Sequence, residues 1–419
     1  VRPERFEYSH TIAEARELAD DTKDVYLAGR LMSKRKMGKI SFMDIADVAG
    51  HIQLVLKRDD LGEDRYKQIH ETLDIGDFVG VKGNIFTTQA GEKSIQMVDY
   101  EFLGKAIRPL PEKFHGIEDI ETIYRERYLD LIMNDEAKKK FIFRSRFIRE
   151  IRNYLDEAGY MEIETPILNN KASGALARPF TTHHNALDID LYLRIAPETY
   201  LKRAVVGGMN KVFEIARCFR NEGMDPKHNP EFTNMEFYSA YEDYNDMMNI
   251  SEELISTVAK NVLGTTKITY EGMDIDLTPG WKRISMIDAI KEVTGVDFNT
   301  IKTDAEAQAI AKEKHLEFPK PLNTVTKGEV LNALYEEFCE EHMIQPTFII
   351  DYPVEISPLT KKKRGDEMFT ERFEGFVFGR ELCNAYSELN DPIVQRQRFE
   401  QQAKERELGD DEAYMLDEQ

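Results

Sequence analysis

Between residues 25 and about 103 the chain alternates apolar and polar residues in short runs broken by turn residues, first in VYLAGRLMSKRKMGKISFMDIADVAGHIQLVLKRD and then in GDFVGVKGNIFTTQAGEKSIQMVDYEFLG. A period of two buries one face of a strand and wets the other, so this stretch folds as sheet rather than helix. Five or so strands, with a helix-like stretch at 63–73 between the third and fourth, predict a small all-β barrel of the oligonucleotide-binding kind. A lead-in helix is expected at 11–19.

The remainder of the 419 residues has a different grammar. KAIRPLPEKFHGIED, with two prolines and a glycine, reads as a linker. Beyond it Phe141, Ile148, Ile151 and Leu155 recur at helical spacing and Gly159 stands where such a helix ends. MEIETPIL is strand-like, strands dominate from 191 to 241, and helices are expected at 243–263, 283–293, 305–314 and 327–339. PTFIIDYPVEISPL and RFEGFVFGRELCNAYSELND return to strand. Helices and strands interleave without regular βαβ units, which predicts an α+β domain built on an antiparallel sheet. The expected division is 1–104 barrel, 105–122 linker and 123–419 second domain.

A net charge of −21 excludes a uniformly basic, indiscriminate nucleic-acid binder, although local basic runs occur at Lys34-Arg35-Lys36 and Lys361-Lys362-Lys363-Arg364. No apolar run approaches the ~20 residues that span a bilayer. Cys218, Cys339 and Cys383 are too scattered for a disulfide framework or a CxxC metal site, and a reducing cytoplasm is expected. The opening VRPERFEYSH, without an initiator Met or apolar signal core, reads as a trimmed start.

The densest chemistry lies in FRNEGMDPKHNPEFTNMEFY, residues 219–238. Two strand-like runs flank a loop longer than most hairpin loops. On alternation Glu214, Cys218 and Arg220 share one face, and Phe232, Asn234, Glu236 and Tyr238 share one face of the next strand. Arginine, carboxylates, phenol and amide together suit a pocket, not a core, because unpaired buried charge is strongly unfavourable. The chain has neither GxxxxGK[ST] nor a GxGxxG following a strand, so a phosphate here must be gripped by side chains, for which a guanidinium fork is suited.

This stretch resembles motif 2 of class II aminoacyl-tRNA synthetases, and its details resemble their lysine-specific branch. The barrel, the helix and strand ending at Pro166, SGALARPFTTHHNALDIDLYLRIAPETYLKR and FEGFVFGRELCNAYSELNDP fit the same family, so the resemblance covers nearly the whole chain. It implies an N-terminal OB-fold anticodon-binding domain followed by a class II catalytic domain. The implied activity joins lysine to ATP as an adenylate and then transfers it to tRNA(Lys), with Mg2+ as cofactor, in a homodimer formed through the region 141–166. By the resemblance Arg220 holds the α-phosphate of ATP and the amino-acid carbonyl, while Glu222, His228, Asn229 and Phe232 hold the adenine and the other phosphates. Glu374 and Glu381 ligate magnesium through hard carboxylate oxygens.

The family's lysine pocket matches Gly174, Ala175, Glu198, Glu236, Tyr238, Asn384, Tyr386 and Glu388. Carboxylates and a phenol complement an ammonium and disfavour the aspartate and asparagine that related enzymes take. In the barrel, Arg30, Phe42 and Gln53 match positions that stack on and hydrogen-bond anticodon bases. Taken alone, Phe42 reads as a core aromatic.

Phe378 stands where the family usually has glycine, and Tyr386 where it often has phenylalanine. The family's glycine-rich third motif is not in the sequence, which closes on DDEAYMLDEQ; a missing C-terminal segment is expected over a naturally short paralogue. The adjacent His183 and His184 point to opposite strand faces and read as structural rather than metal-binding. The rival reading of the chain is a non-catalytic RNA-binding or regulatory paralogue. A relative that lysylates protein instead of tRNA would lack the barrel.

Overall fold

The computed structural model describes residues 3–111, 117, 119–171, 177–225 and 228–407. The chain divides into two compact units, Val1–Phe143 and Arg144–Gln419.

In the first unit helix α1 (Ile12–Glu17) opens with a capping box in which Thr11 and Glu14 satisfy each other's backbone N–H groups. Strands β1 (Val25–Met37), β2 (Ile40–Ala46), β3 (His51–Lys57), β4 (Phe78–Thr87) and β5 (Lys93–Gly104) close into a barrel in the order β1-β2-β3-β5-β4. Every pairing is antiparallel except β3 with β5. The inward residues Leu27, Met43, Ile45, Leu54, Val81 and Ile95 are almost wholly buried. Helices α2 (Arg58–Leu61) and α3 (Glu63–Thr72) sit between β3 and β4, and α3 plugs the barrel with Tyr66 and Ile69. At Gly83 a Cβ would overlap the Gln96 carbonyl oxygen, so the bulge between Lys82 and Gly83 tolerates no side chain. Two short helices, α4 (Ile120–Arg125) and α5 (Arg127–Met133), precede the long α6 (Asp135–Glu157).

Helix α6 ends as expected, with Gly159 at φ 84°. Its apolar side chains are not all covered: Phe141, Phe143 and Phe147 keep 51%, 43% and 41% of their surface exposed, whereas Leu155 is buried. MEIETPIL yields only two short pieces, β6 (Met161–Glu162) and β7 (Leu168–Asn169), because the prolyl and polar residues between them make no ladder. Strands β8 (Thr181–His184) and β9 (Ile189–Leu193) pair antiparallel, and helix α7 (Glu198–Val206) follows. That helix corrects the expectation that strand dominates throughout 191–241. ETYLKRAVV buries Glu198 and Leu201 on one face, a helical period that the flanking strands obscure.

Two sheets carry the second unit. Strands β10 (Lys211–Phe219) and β11 (Glu231–Ser239) form an antiparallel pair that β6 joins in parallel. After α8 (Tyr244–Leu263) and the hairpin of β12 (Lys267–Tyr270) and β13 (Met273–Asp276), β14 (Lys282–Ser285) leads into α9 (Met286–Thr294), α10 (Asp304–Glu313) and α11 (Lys327–Phe338). These three helices share a core containing Met286, Ile290, Ala307, Ala311 and Leu334. Strands β15 (Thr347–Ile350), β16 (Lys362–Lys363), β17 (Asp366–Thr370), β18 (Arg372–Val377) and β19 (Arg380–Tyr386) follow, and helix α12 (Pro392–Glu407) comes last. The second main sheet runs β14-β15-β18-β19, antiparallel except for its first pair. On one of its faces Trp281 stacks on Phe348 and Phe373 meets Phe348 edge to face, at 5.0 Å between each successive pair of rings.

The turn between β18 and β19 is Phe378-Gly379, both with positive φ, 56° and 61°. A two-residue hairpin needs that backbone, which explains why glycine suits position 378. Phe378 occupies it with its ring edge-on against Tyr270, 4.7 Å between centroids.

Candidate active site and nucleic-acid interface

The β10–β11 register pairs Cys218 with Phe232, Ala216 with Asn234 and Glu214 with Glu236, so these residues line one face of the hairpin. Beyond the last pair, Arg220 N–H donates to the Pro230 carbonyl at 2.8 Å and holds the strand end in place. The Arg220 guanidinium lies over the Phe232 ring, 5.1 Å from its centroid, and its Nε is buried with no hydrogen-bond partner among the described residues. A buried donor without an acceptor costs about 1–3 kcal/mol, a cost that an acceptor from a ligand would relieve. Two of the other residues read for this end, Glu222 and His228, have their own partners. Glu222 accepts from the Arg178 backbone N–H at 3.1 Å, and His228 Nδ1 lies 2.7 Å from Asp225 in the exposed loop, next to exposed Asn229.

Beneath Arg220 a buried ion pair braces the hairpin. Arg194 donates to Glu214 at 2.7 Å and to the Arg217 carbonyl at 2.8 Å, and Glu214 accepts from the Thr165 hydroxyl at 2.6 Å. Sequence alternation placed Glu214 on the pocket face; its charge is spent on this brace.

Further along β11 the face becomes acidic. Glu236 accepts from Tyr238 at 2.9 Å and from Asn234 at 3.0 Å. Glu198, from the first turn of α7, accepts from the Tyr386 hydroxyl at 3.1 Å. That hydroxyl is what distinguishes Tyr386 from phenylalanine at this position. Glu388, just after β19, bridges to Thr360 and faces Glu198 across Lys202, whose ammonium is 2.5 Å from Glu198 and 2.7 Å from Glu388. Burial and then the charge of Glu198 push the Glu236 carboxyl up to about 8. Burial likewise raises Glu388 to about 7, with Lys202 opposing and Glu198 adding to the rise. The Tyr238 phenol is driven well above its usual range by burial and the neighbouring Glu236. Lys202 itself went unread in the sequence; the available signal was its i,i+4 spacing from Glu198.

The second acidic pair depends on a bulge. Glu374 pairs with Asn384, but a register shift after Gly375 sets Phe376 opposite Glu381. Strict alternation would put Glu381, three residues from Asn384, on the opposite face. The bulge returns it to the face of Glu374. Glu374 accepts from Arg372 at 2.7 Å, Tyr352 at 2.8 Å and Asn384 at 3.2 Å. Glu381 is pushed to about 7 by burial and by Glu374. Two carboxylates on one strand-pair face, one of them raised by burial and by the charge of the other, offer the hard oxygens that suit a divalent cation. Among the described residues no group of three or more His, Cys, Asp or Glu side chains gathers as a metal site. His183 is held by Asp190 at 2.9 Å and Asp188 at 3.3 Å, as a structural histidine would be. Gly174 and Ala175 lie outside the described residues.

On the barrel, Ser41, Met43 and Ile45 of β2 point inward, leaving Phe42 and Asp44 on the outer face. Phe42 is therefore half-exposed and not a core aromatic. It pairs with Arg35 on one side and Val55 on the other, while Asp44 pairs with Ser33 and with Gln53. Gln53 accepts from the Ser94 hydroxyl at 3.2 Å. Arg30 pairs with Phe78 and lies over its exposed ring at 4.1 Å, while donating to the Gly76 carbonyl at 2.9 Å. Aromatic faces, a guanidinium plane and an amide on the outer face of the barrel make a surface on which unpaired bases could stack and be read.

Sequence comparison agrees with both halves of this description. The family described as tRNA synthetases class II (D, K and N) matches residues 119–418, and the OB-fold nucleic acid binding domain matches residues 25–103. The chain is 60% identical over 417 residues to the lysine--tRNA ligase of Clostridium perfringens strain SM101, covering 99% of this chain and 83% of that relative. It is 60% identical over 415 residues to the lysine--tRNA ligase of Clostridium botulinum strain Hall, covering 99% and 82%. With a matching family over most of its length and relatives this similar, the chain belongs to the class II tRNA synthetases of the D, K and N group, and within it to the lysine–tRNA ligases.

Proposed function

We infer that this protein activates L-lysine with ATP and esterifies it to tRNA. The observation that carries the reading is one hairpin with two chemically opposite ends: a buried guanidinium nitrogen at Arg220 with no partner among the described residues, and a cluster of carboxylates around Glu236. Phe232 and Glu236 are four residues apart, about 13 Å of strand at ~3.3 Å per residue. A substrate with a carboxylate at one end and an ammonium at the other fits that span, with room for a phosphate beside the guanidinium.

Arg220 holds the α-phosphate and the amino-acid carboxylate together. A lysine carboxylate oxygen attacks the α-phosphorus, the bond to the β-phosphate oxygen breaks, and pyrophosphate leaves. A ribose hydroxyl of the tRNA end then attacks the lysyl carbonyl and AMP departs. Both steps gain mostly from positioning and from fixed charge aimed at the developing oxyanion. Phe232 stacks on adenine, and Glu222, His228 and Asn229 hold the base and outer phosphates. Glu198, Glu236, Tyr238, Asn384, Tyr386 and Glu388 surround the lysine side chain, with Gly174 and Ala175 at its backbone. Magnesium held by Glu374 and Glu381 would neutralise phosphate charge as it moves to the leaving group. Glu374 would have to leave Arg372, and Glu381 to give up its proton, to offer those oxygens.

We assign 1–104 to anticodon binding through Arg30, Phe42 and Gln53, 105–122 to the linker and 123–419 to catalysis. A second copy of the chain would cover the exposed Phe141, Phe143 and Phe147 of α6 in a homodimer. Three free cysteines suit the cytoplasm, and no helix among the described residues is long and apolar enough to cross a membrane. The test is charging of tRNA with labelled amino acids by the protein at the length of its curated relatives. Lysine esterified to tRNA(Lys) is expected; aspartate or asparagine in its place, or RNA binding without charging, would contradict the reading.

A further inference from the structure

The amino-acid pocket already contains an ammonium that belongs to the protein. Lys202 lies one turn along α7 from Glu198 and reaches across to Glu388, closing a bridge between a helix and the segment after β19. Its Nζ lies 5.5 Å from the Tyr386 ring centroid, and Tyr386 donates to the same Glu198 oxygen that Lys202 contacts. Two side chains, one from α7 and one from β19, are thus locked onto one carboxylate oxygen.

Resting on the lysine-activation reading, we propose that Lys202 is a positioning residue: its ammonium ties Glu198 to Glu388 and sets both carboxylates to receive the side-chain ammonium of the substrate. The charged and titratable groups facing this bridge are Glu198 on α7, Glu236 and Tyr238 on β11, and Tyr386 and Glu388 at the end of β19, with Arg220 at the far end of the pocket. Three carboxylates in one partly buried pocket cannot all stay ionised without a counter-charge. Lys202 supplies it, lowering both Glu236 and Glu388 against the effect of burial. Burial works against its own charge, yet the attraction of Glu198 and Glu388 prevails and keeps it protonated. Without it Glu236 and Glu388 would hold their protons to higher pH, and Glu198 and Glu388 would lose the group that ties them together. The substrate ammonium would then have more protons to expel and less well placed oxygens to meet.

The experiment replaces Lys202 in the protein at the length of its curated relatives and follows lysine-dependent pyrophosphate exchange at pH 7 and pH 9. For Lys202→Met the KM for lysine should rise about tenfold at pH 7 with the KM for ATP unchanged, and the acid limb of kcat/KM for lysine should move up by about one pH unit, the size of one close opposite charge. The deficit should shrink at pH 9, where the carboxylates ionise unaided. Lys202→Arg should restore most of the affinity. Lys202→Gln serves should the methionine variant fail to fold, with the same expected pattern. An unmoved lysine KM, or an equal deficit at both pH values, would overturn the proposal and leave Lys202 a purely structural bridge. A wild-type protein that exchanges with another amino acid and not with lysine would instead defeat the underlying functional reading.

Discussion

Tyr238 donates its hydroxyl to Glu236 at 2.9 Å along a single strand face. Two residues of one strand point the same way, so β11 itself fixes this contact without help from a second element. The bond favours the ionised carboxylate, but burial and Glu198 outweigh it and Glu236 titrates at about 8. Glu388 titrates at about 7.

A pH dependence follows from these two groups. Both folded-state values lie above the ordinary carboxylate range, so at pH 7 the empty pocket carries protons that a bound ammonium expels. Lysine keeps its own charge until about pH 10. Affinity for lysine should therefore climb between about pH 6 and pH 8 and then level off. Calorimetric titration in buffers of different ionisation enthalpy should show net proton release at pH 7 that fades by pH 9. Proton uptake, or none, would contradict this.

Arg220→Ala should lower pyrophosphate exchange by about 10²–10³-fold, the usual cost of losing one preorganised charge donor. Because Nε makes no hydrogen bond among the described residues, the melting temperature should hardly move. A variant that unfolds with its activity would place Arg220 in the scaffold instead.

The Arg194–Glu214 pair gives the opposite pattern. Both side chains are nearly inaccessible, at 4% and 6% exposure. Glu214→Gln leaves a buried guanidinium without its counter-charge and should cost about 3–5 kcal/mol in denaturant melts. Combining it with Arg194→Met should recover much of that, since the guanidinium left without a counter-charge is then gone. An additive double variant would refute the pairing.

On the barrel, Phe42→Ala and Gln53→Ala should weaken tRNA binding while leaving lysine activation untouched. Stacking on one aromatic is worth about 1–3 kcal/mol, so Phe42→Ala should raise the KM for tRNA by about tenfold or more. Filter binding and pyrophosphate exchange on the same preparations separate the two effects.

How much of this could be read from sequence varied with the range of the interaction involved. The barrel was legible because period-two alternation and turn residues are local, and so was the face shared by Phe232, Asn234, Glu236 and Tyr238. Helix α7 was hidden because its nine residues sit between strands and carry the charged pair Glu198 and Lys202 on what reads as a polar run. The meeting of Glu374 with Glu381 was legible only by resemblance, since it depends on a one-residue bulge that no local pattern announces. The outward placement of Phe42 was undecidable from its own type; only the inward Ser41, Met43 and Ile45 around it settle the face.

Lysine-dependent exchange of pyrophosphate into ATP, measured across a panel of amino acids with the protein at the length of its curated relatives, tests the central claim most directly. Exchange with lysine, and little with aspartate or asparagine, is the predicted result. Exchange with either of those in preference to lysine, or silence with all three, would contradict it.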